Sequence, residues 1–271
     1  MAQNIRVTYL EHSAFAVYNE RTALIFDYAR SGSGASGSEA AAPDSPFPGG
    51  YVTPSSLEPF ERVYVFASHS HSDHYIPGIF QWAGRKGINY ILGYDIADAP
   101  AGHRLSPGDA RVFPELTVTA RGSTDQGVSF MIDWNEAGFT VFHAGDLNLW
   151  HWRDESTLRE IEQAEQAFYA AMGPIYGASI DLAFFPVDPR QGAMYDAGGV
   201  HFISRVKPSL FFPMHFQGRA DAAREFARRN AERRTSVVPL TKPGETIEIA
   251  KDAGGAARVV GVQHTMEDKN A

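Results

Sequence analysis

Three histidines and an aspartate fall within six residues of the stretch Ala67-Ser68-His69-Ser70-His71-Ser72-Asp73-His74. Imidazole nitrogen and carboxylate oxygen are the donors that zinc and similar divalent metals prefer. With a spacing of two, His69 and His71 can point to one side of the chain while Asp73 and His74 turn towards another. That arrangement suits two adjacent cations better than one. The chain holds 10 histidines in 271 residues, so a polar surface loop would not gather three of them here by chance. Directly before the cluster runs Val63-Tyr64-Val65-Phe66. Such a run of β-branched and aromatic residues reads as a buried strand, which puts the histidines on the loop leaving it.

The hexapeptide His69-Ser70-His71-Ser72-Asp73-His74 resembles the HxHxDH signature of the metallo-β-lactamase-fold hydrolases. The strand before it and the helix-like Ile76 to Trp82 after it match the signature's context, and the resemblance runs from about Ile5 to Ile249. It implies an α/β (α+β) chain built as a four-layer αββα sandwich, a single domain over residues 1–250 followed by a tail, 251–271, with a short strand at 258–262. It also implies two divalent metal ions, zinc first, with manganese or iron as alternatives.

Further residues match the family pattern one by one. Asp146, in Phe142-His143-Ala144-Gly145-Asp146, matches the metal-bridging aspartate, whose shared negative charge offsets the repulsion between two close dications. His215, in Phe211-Phe212-Pro213-Met214-His215, matches the last histidine ligand. Asp27, at the end of an early strand, matches the aspartate that supports a ligand histidine by a hydrogen bond, and His12 in the first turn is a second supporting candidate. One departure stands out. The family supplies a third histidine to the metal held by the first two, near the place of Gly122-Ser123-Thr124-Asp125, yet no histidine occurs between His103 and His143. Asp125 is the candidate replacement; water, His143 or His151 are the alternatives. An oxygen ligand would favour a harder ion than zinc.

Two cations of this kind lower the pKa of a bound water towards about 7 and polarise a carbonyl or phosphoryl oxygen. The expected reaction is therefore hydrolysis, by a metal-bound hydroxide, of an ester, lactone, thioester or phosphoester bond in a small-molecule substrate. Asp73 is expected to orient the attacking hydroxide and His151 to protonate the leaving group. Tyr28, Trp150, Trp152 and Arg190 are candidates to line the pocket, Arg190 by holding a substrate anion. Ser68, Ser70, Ser72 and Ser123 lack the Gly-x-Ser-x-Gly surroundings of a nucleophile. His71 stands where the redox branch of the superfamily carries Glu, and the compact form resembles the ascorbate-phosphate-lactonase-like hydrolases. Two other readings stay open: a metal-binding sensor or regulator without turnover, and a metal-dependent phosphodiesterase or nuclease.

Composition narrows the classes. A net charge of -8 with no long Lys/Arg run argues against a dedicated binder of nucleic acid or anionic membrane. Cysteine is absent, which excludes disulfides, thiolate metal sites and cysteine nucleophiles. The N-terminal Met1-Ala2-Gln3-Asn4-Ile5-Arg6 lacks the apolar core of a signal peptide, and no apolar run is long enough to span a bilayer, so the expected location is cytoplasmic.

Several elements must carry these residues. Strands are expected at Ile5 to Leu10, Ser13 to Tyr18 and Thr22 to Asp27. Ser31 to Gly50 is rich in Ser, Gly, Ala and Pro without periodicity and reads as a flexible insertion, a candidate lid. Strands at Ile88 to Leu92, Arg111 to Phe113, Leu116 to Ala120, Val128 to Trp134 and Phe139 to His143 read as an antiparallel meander. Then come an amphipathic helix over Asp154 to Met172, a strand at Asp181 to Phe185, a helix at Gly199 to Val206, a strand at Ser209 to Pro213 and a basic helix at Ala220 to Arg233. Strands at Ser236 to Val238 and Thr246 to Ile249 close the pattern, each half of the chain supplying one sheet.

Overall fold

A computed structural model describes residues 4–30, 45–152 and 155–263, so most of the candidate lid, residues 31–44, lies outside the described residues. The chain divides into two compact units, one made of residues 1–104 and 240–271 and the other of residues 105–239.

In the first unit, β1 (Ile5–Glu11), β2 (Ala14–Tyr18) and β3 (Thr22–Phe26) run antiparallel in sequence. The turn between β2 and β3 closes on Asn19, whose side-chain oxygen accepts from the backbone N–H of Arg21 and Thr22 at 2.9 and 2.8 Å, the usual asparagine turn device. A crossover carrying α1 (Pro54–Leu57), capped by the Thr53 hydroxyl, leads to β4 (Arg62–Ala67), which pairs parallel with β3. The segment expected to be helical after the histidines is a 3₁₀ turn over Pro77–Trp82. It delivers β5 (Ile88–Gly93) parallel to β4. The sequence pattern had grouped this strand with the antiparallel meander. The histidine loop and the 3₁₀ turn together form a connection long enough for a parallel return, so β5 joins the first sheet instead. A short β6 (His103–Leu105), not foreseen, ends this sheet.

The second unit opens with the expected meander, β7 (Ala110–Val112), β8 (Thr117–Arg121), β9 (Ser129–Trp134) and β10 (Phe139–His143). Helix α2 (Leu158–Met172) begins four residues later than periodicity suggested. A capping box stops it there: the Thr157 hydroxyl accepts from the Glu160 N–H and Glu160 accepts from the Thr157 N–H. Strand β11 (Leu182–Pro186), helix α3 (Ala197–Arg205), strand β12 (Leu210–Met214), helix α4 (Ala220–Arg229) and the short β13 (Ser236–Val237) follow, with β10 to β13 all parallel. The α4 helix ends at Asn230 rather than at Arg233; the Asn230 amide donates to the Phe226 carbonyl at 2.8 Å and closes the last turn.

The chain then returns to the first unit as β14 (Thr246–Lys251) and β15 (Ala257–Gln263). The expected one-sheet-per-half division therefore shifts: β14 pairs with β1, Ile249 opposite Ile5. The result is an eight-stranded sheet, β15-β14-β1-β2-β3-β4-β5-β6, and a seven-stranded sheet, β13-β12-β11-β10-β9-β8-β7. Among the described residues no helix is long and apolar enough to cross a membrane.

Candidate metal centre

The first unit carries the histidine loop, and strand register sets its support. Phe26 of β3 lies opposite Phe66 of β4, so Asp27, one residue beyond β3, comes level with the start of the loop. Its backbone N–H donates to the Phe66 carbonyl at 2.9 Å. Its buried carboxylate then accepts three hydrogen bonds: from the Ser68 N–H on Oδ1 at 2.7 Å, and on Oδ2 from the Ser68 hydroxyl at 2.7 Å and from His74 Nδ1 at 2.8 Å. A histidine whose Nδ1–H is held by a carboxylate presents its Nε2 lone pair outward, the tautomer and orientation a divalent metal needs. The same carboxylate reaches a second histidine. His69 Nδ1 stands 2.8 Å from the Ser68 hydroxyl, and since that hydroxyl donates to Asp27, it accepts from His69 and fixes Nε2 as the acceptor nitrogen. Ser68 is thus a supporting residue, a role that its place in the sequence does not reveal.

His69 Nε2 lies 3.0 Å from His71 Nδ1. Two nitrogens bound to one tetrahedral zinc at about 2.0–2.1 Å stand about 3.3 Å apart, close to this separation. On the far side of the loop Asp73 is half exposed, with its Oδ2 3.2 Å from His12 Nε2 and 4.0 Å from His74 Nε2. The His12 imidazole holds the Asp73 carboxyl well below the usual carboxylate range, against the upward pull of burial. The loop is braced from β5: Asp95 accepts from the Ser70 N–H at 2.8 Å, and a Cβ at Gly93 would stand 2.1 Å from the Ser68 carbonyl oxygen. Only glycine permits that approach.

The second unit repeats the device. The parallel strands β10, β11 and β12 end in register, with His143 opposite Phe184 and Pro186 opposite Met214. Asp146, Asp188 and His215 therefore gather at one sheet edge, the carboxyl ends of parallel strands where α/β sheets build their sites. Buried Asp188 accepts from His215 Nδ1 at 2.9 Å and from the Arg190 guanidinium at 2.9 Å on Nε. Burial pulls the Asp188 carboxyl upward, but the bonds from His215 and Arg190 outweigh it and the net shift is downward. His215 Nε2 in turn lies 3.4 Å from Asp146 Oδ1. Asp188 is not among the residues that the sequence singles out, although its place just past a buried strand is an available signal.

Other expected residues are placed as follows. Trp150 and Trp152 stack at 5.9 Å between centroids, Trp150 meets the His215 ring edge-on at 5.6 Å, and Arg190 lies over Trp152 at 5.8 Å. These three thus stand together beside His215. Asp125 is exposed, and among the described residues no group of three or more potential ligand atoms includes it. Its neighbour Thr124 donates to the Asn148 carbonyl at 2.6 Å. His151 is buried with its Nε2 3.2 Å from Glu165 of α2. Tyr28 packs in the core of the first unit against Trp82, its hydroxyl accepting from the Val52 N–H at 3.1 Å.

The donor set fits a divalent metal on its own chemistry: imidazoles locked in the ligating tautomer by buried carboxylates, and carboxylate oxygens beside them. No family model matches the sequence. The chain is similar to a UPF0173 metal-dependent hydrolase of Opitutus terrae, 28% identical over 261 residues that cover 90% of this chain and 100% of the relative. Among solved structures it is similar to Igni18, a metallo hydrolase of the hyperthermophilic archaeon Ignicoccus hospitalis, with a TM-score of 0.61, 18% identity and coverage of 90% of this chain and 98% of that one. It is also similar to the metallo-β-lactamase fold protein YhfI of Bacillus subtilis, with a TM-score of 0.54, 14% identity and coverage of 91% and 99%. The chain has the metallo-β-lactamase fold, the α/β class and architecture that its histidine motif led one to expect.

Proposed function

We propose that this chain is a metal-dependent hydrolase of a small-molecule substrate, with His69, His71, Asp73 and His74 in the first unit and Asp146 and His215 in the second as the residues that hold divalent cations. The carrying observation is the duplicated clamp: Asp27 on His74 at 2.8 Å and Asp188 on His215 at 2.9 Å, each buried and each leaving Nε2 as the donor atom. An imidazole-rich set of this kind suits zinc, with manganese or iron the alternatives. When bound, such ions activate water and stabilise negative charge on a carbonyl or phosphoryl oxygen. The chain's own residues supply the rest. Asp73, held ionised beside His12, can accept a hydrogen bond from the attacking water and orient it. Trp150 and Trp152 offer an aromatic wall beside His215, and Arg190 a cation over it, which suits a substrate with a flat or apolar part and an anionic group.

The bonds at issue are ester, lactone, thioester and phosphoester. Metal analysis of the purified chain, followed by a chromogenic panel of these four classes, tests the reading. Two equivalents of metal and turnover abolished by Asp146→Ala are expected. Turnover that survives both that variant and exhaustive chelation would sink it.

A further inference from the structure

The sequence makes His12 a candidate to support another residue, but its placement points to a larger part. His12 occupies the turn between β1 and β2 with φ of 53°, a conformation that strains a non-glycine residue and persists where its surroundings impose it. Among the described residues, the other non-glycine positions with positive φ are Asp27, Lys207, His215 and Gln217. The group thus includes one clamp carboxylate and one candidate ligand. Strain of this kind gathers at functional sites, and it picks out His12 independently of any motif.

The side-chain geometry goes further. His12 Nε2 approaches Asp73 Oδ2 to 3.2 Å, and His74 Nε2 stands 4.0 Å from that same oxygen. The two rings meet edge-on, 5.6 Å between centroids. One ligand atom from each of His12, Asp73 and His74 lies within 4.8 Å of the others. A histidine that only buttressed Asp73 would be expected on the carboxylate oxygen turned away from His74. Here both imidazoles converge on one oxygen, as donors around one ion do. Atoms bound to a single tetrahedral zinc at about 2.0–2.2 Å stand about 3.3–3.6 Å apart; the 3.2 Å contact falls just below that range and the 4.0 Å separation just above it.

We propose that His12 is itself a metal ligand, through Nε2, of the cation held by Asp73 and His74. The inference rests on the metal-dependent reading and deepens it. The imidazole missing near Gly122-Ser123-Thr124-Asp125 is thereby made up in number, but on the other cation. The two sites then differ in donor charge and coordination, and the His12 site binds its ion the more tightly of the two.

Cadmium-113 NMR of the full chain, with histidines labelled in nitrogen-15, reads this directly. A single cadmium resonance should couple to Nε2 of both His12 and His74. His12→Asn accepts a positive φ and should abolish one of those couplings. A chelator competition with zinc should show one of the two ions weakened by more than about 100-fold, beyond the ~10–100-fold typical of losing a group that only supports a ligand. His12→Gly, which also tolerates the turn, is the second variant should the asparagine chain fail to fold. Coupling to His74 without coupling to His12, or a loss below that threshold, overturns the assignment while leaving a metal protein. Failure of the chain to bind cadmium and zinc at all overturns the assignment and the metal-dependent reading together.

Discussion

Asp27→Asn replaces one carboxylate oxygen with an NH₂ group in a place where every neighbour donates. Asp27 accepts from the Ser68 N–H, the Ser68 hydroxyl and His74 Nδ1 at 2.7, 2.7 and 2.8 Å. The backbone should tolerate the change, because Asp27 has φ of 43° and asparagine is among the residues that adopt such angles. The amide oxygen can keep the bond on Oδ1 or the pair on Oδ2, not both. Hydrogen bonds to a charged group contribute about 1.5–3 kcal/mol each, so the metal-free chain should lose ~2–4 kcal/mol. Removal of a ligand's supporting carboxylate typically costs about 10–100-fold in metal affinity, or about 1.4–2.8 kcal/mol. The Ser68 relay makes the prediction sharper. Since His69 takes its orientation from Ser68 and Ser68 from Asp27, both cations should weaken although His74 is the ligand bonded directly to Asp27. Urea denaturation of the metal-free chain measures the first effect and a two-step zinc competition titration the second. Weakening of a single step would refute the relay, and wild-type affinity at both would refute the clamp.

Two further predictions lie away from the ligands. A Cβ at Gly198 would stand 2.0 Å from Asn148 Oδ1 and 3.0 Å from the Leu149 backbone nitrogen, so Gly198→Ala should push Asn148 off its 2.9 Å bond to Gln191. Overpacking of this kind costs about 1–3 kcal/mol; a thermal melt should show the loss, whereas Gly84→Ala, with nothing within 4 Å, should melt like the parent. An unchanged melt for Gly198→Ala would contradict the close approach. His201, partly buried beside Tyr176 at 2.8 Å and near Arg205, is held below the ordinary imidazole value by burial first and by that cation second. The folded chain therefore resists taking this proton, so the stability His201 contributes is present above the unfolded pKa and falls as pH drops below about 6.5. An NMR titration of its ring should give a midpoint below that value; a midpoint at or above it would contradict the placement.

The histidine loop was legible because its donors are contiguous and follow an apolar strand run, so a local pattern sufficed. Asp146 and His215 were legible only as matches to a family pattern, each being ordinary when read alone. Ser68 and Asp188 were not legible in their supporting roles, because hydrogen bonding to a histidine depends on which strands lie side by side. The parallel pairing of β5 escaped for a related reason. Its apolar run fits either sheet, and only the length of the preceding connection decides. Helix ends shifted where a side chain overrode periodicity, as Thr157 does for α2 and Asn230 for α4.

The two clamps share a construction that explains why residues so distant in sequence meet. Asp27 follows β3 by one residue and His74 lies on the loop leaving β4, its parallel neighbour; Asp188 follows β11 by two residues and His215 follows β12, its parallel neighbour, by one. Parallel strands deliver their carboxyl ends to the same edge, so the pairings Phe26 with Phe66 and Pro186 with Met214 place each aspartate against its histidine without any dedicated connection. Side chains alternate faces along a strand, so a slip of one residue in either pair would turn the aspartate to the wrong side and release the imidazole. The buried apolar residues of β3, β4, β11 and β12 resist that slip, since it would carry each to the opposite face. Core packing and ligand geometry are in this sense one constraint, and a substitution that loosened the register of β11 and β12 should reach His215 before it unfolded the sheet.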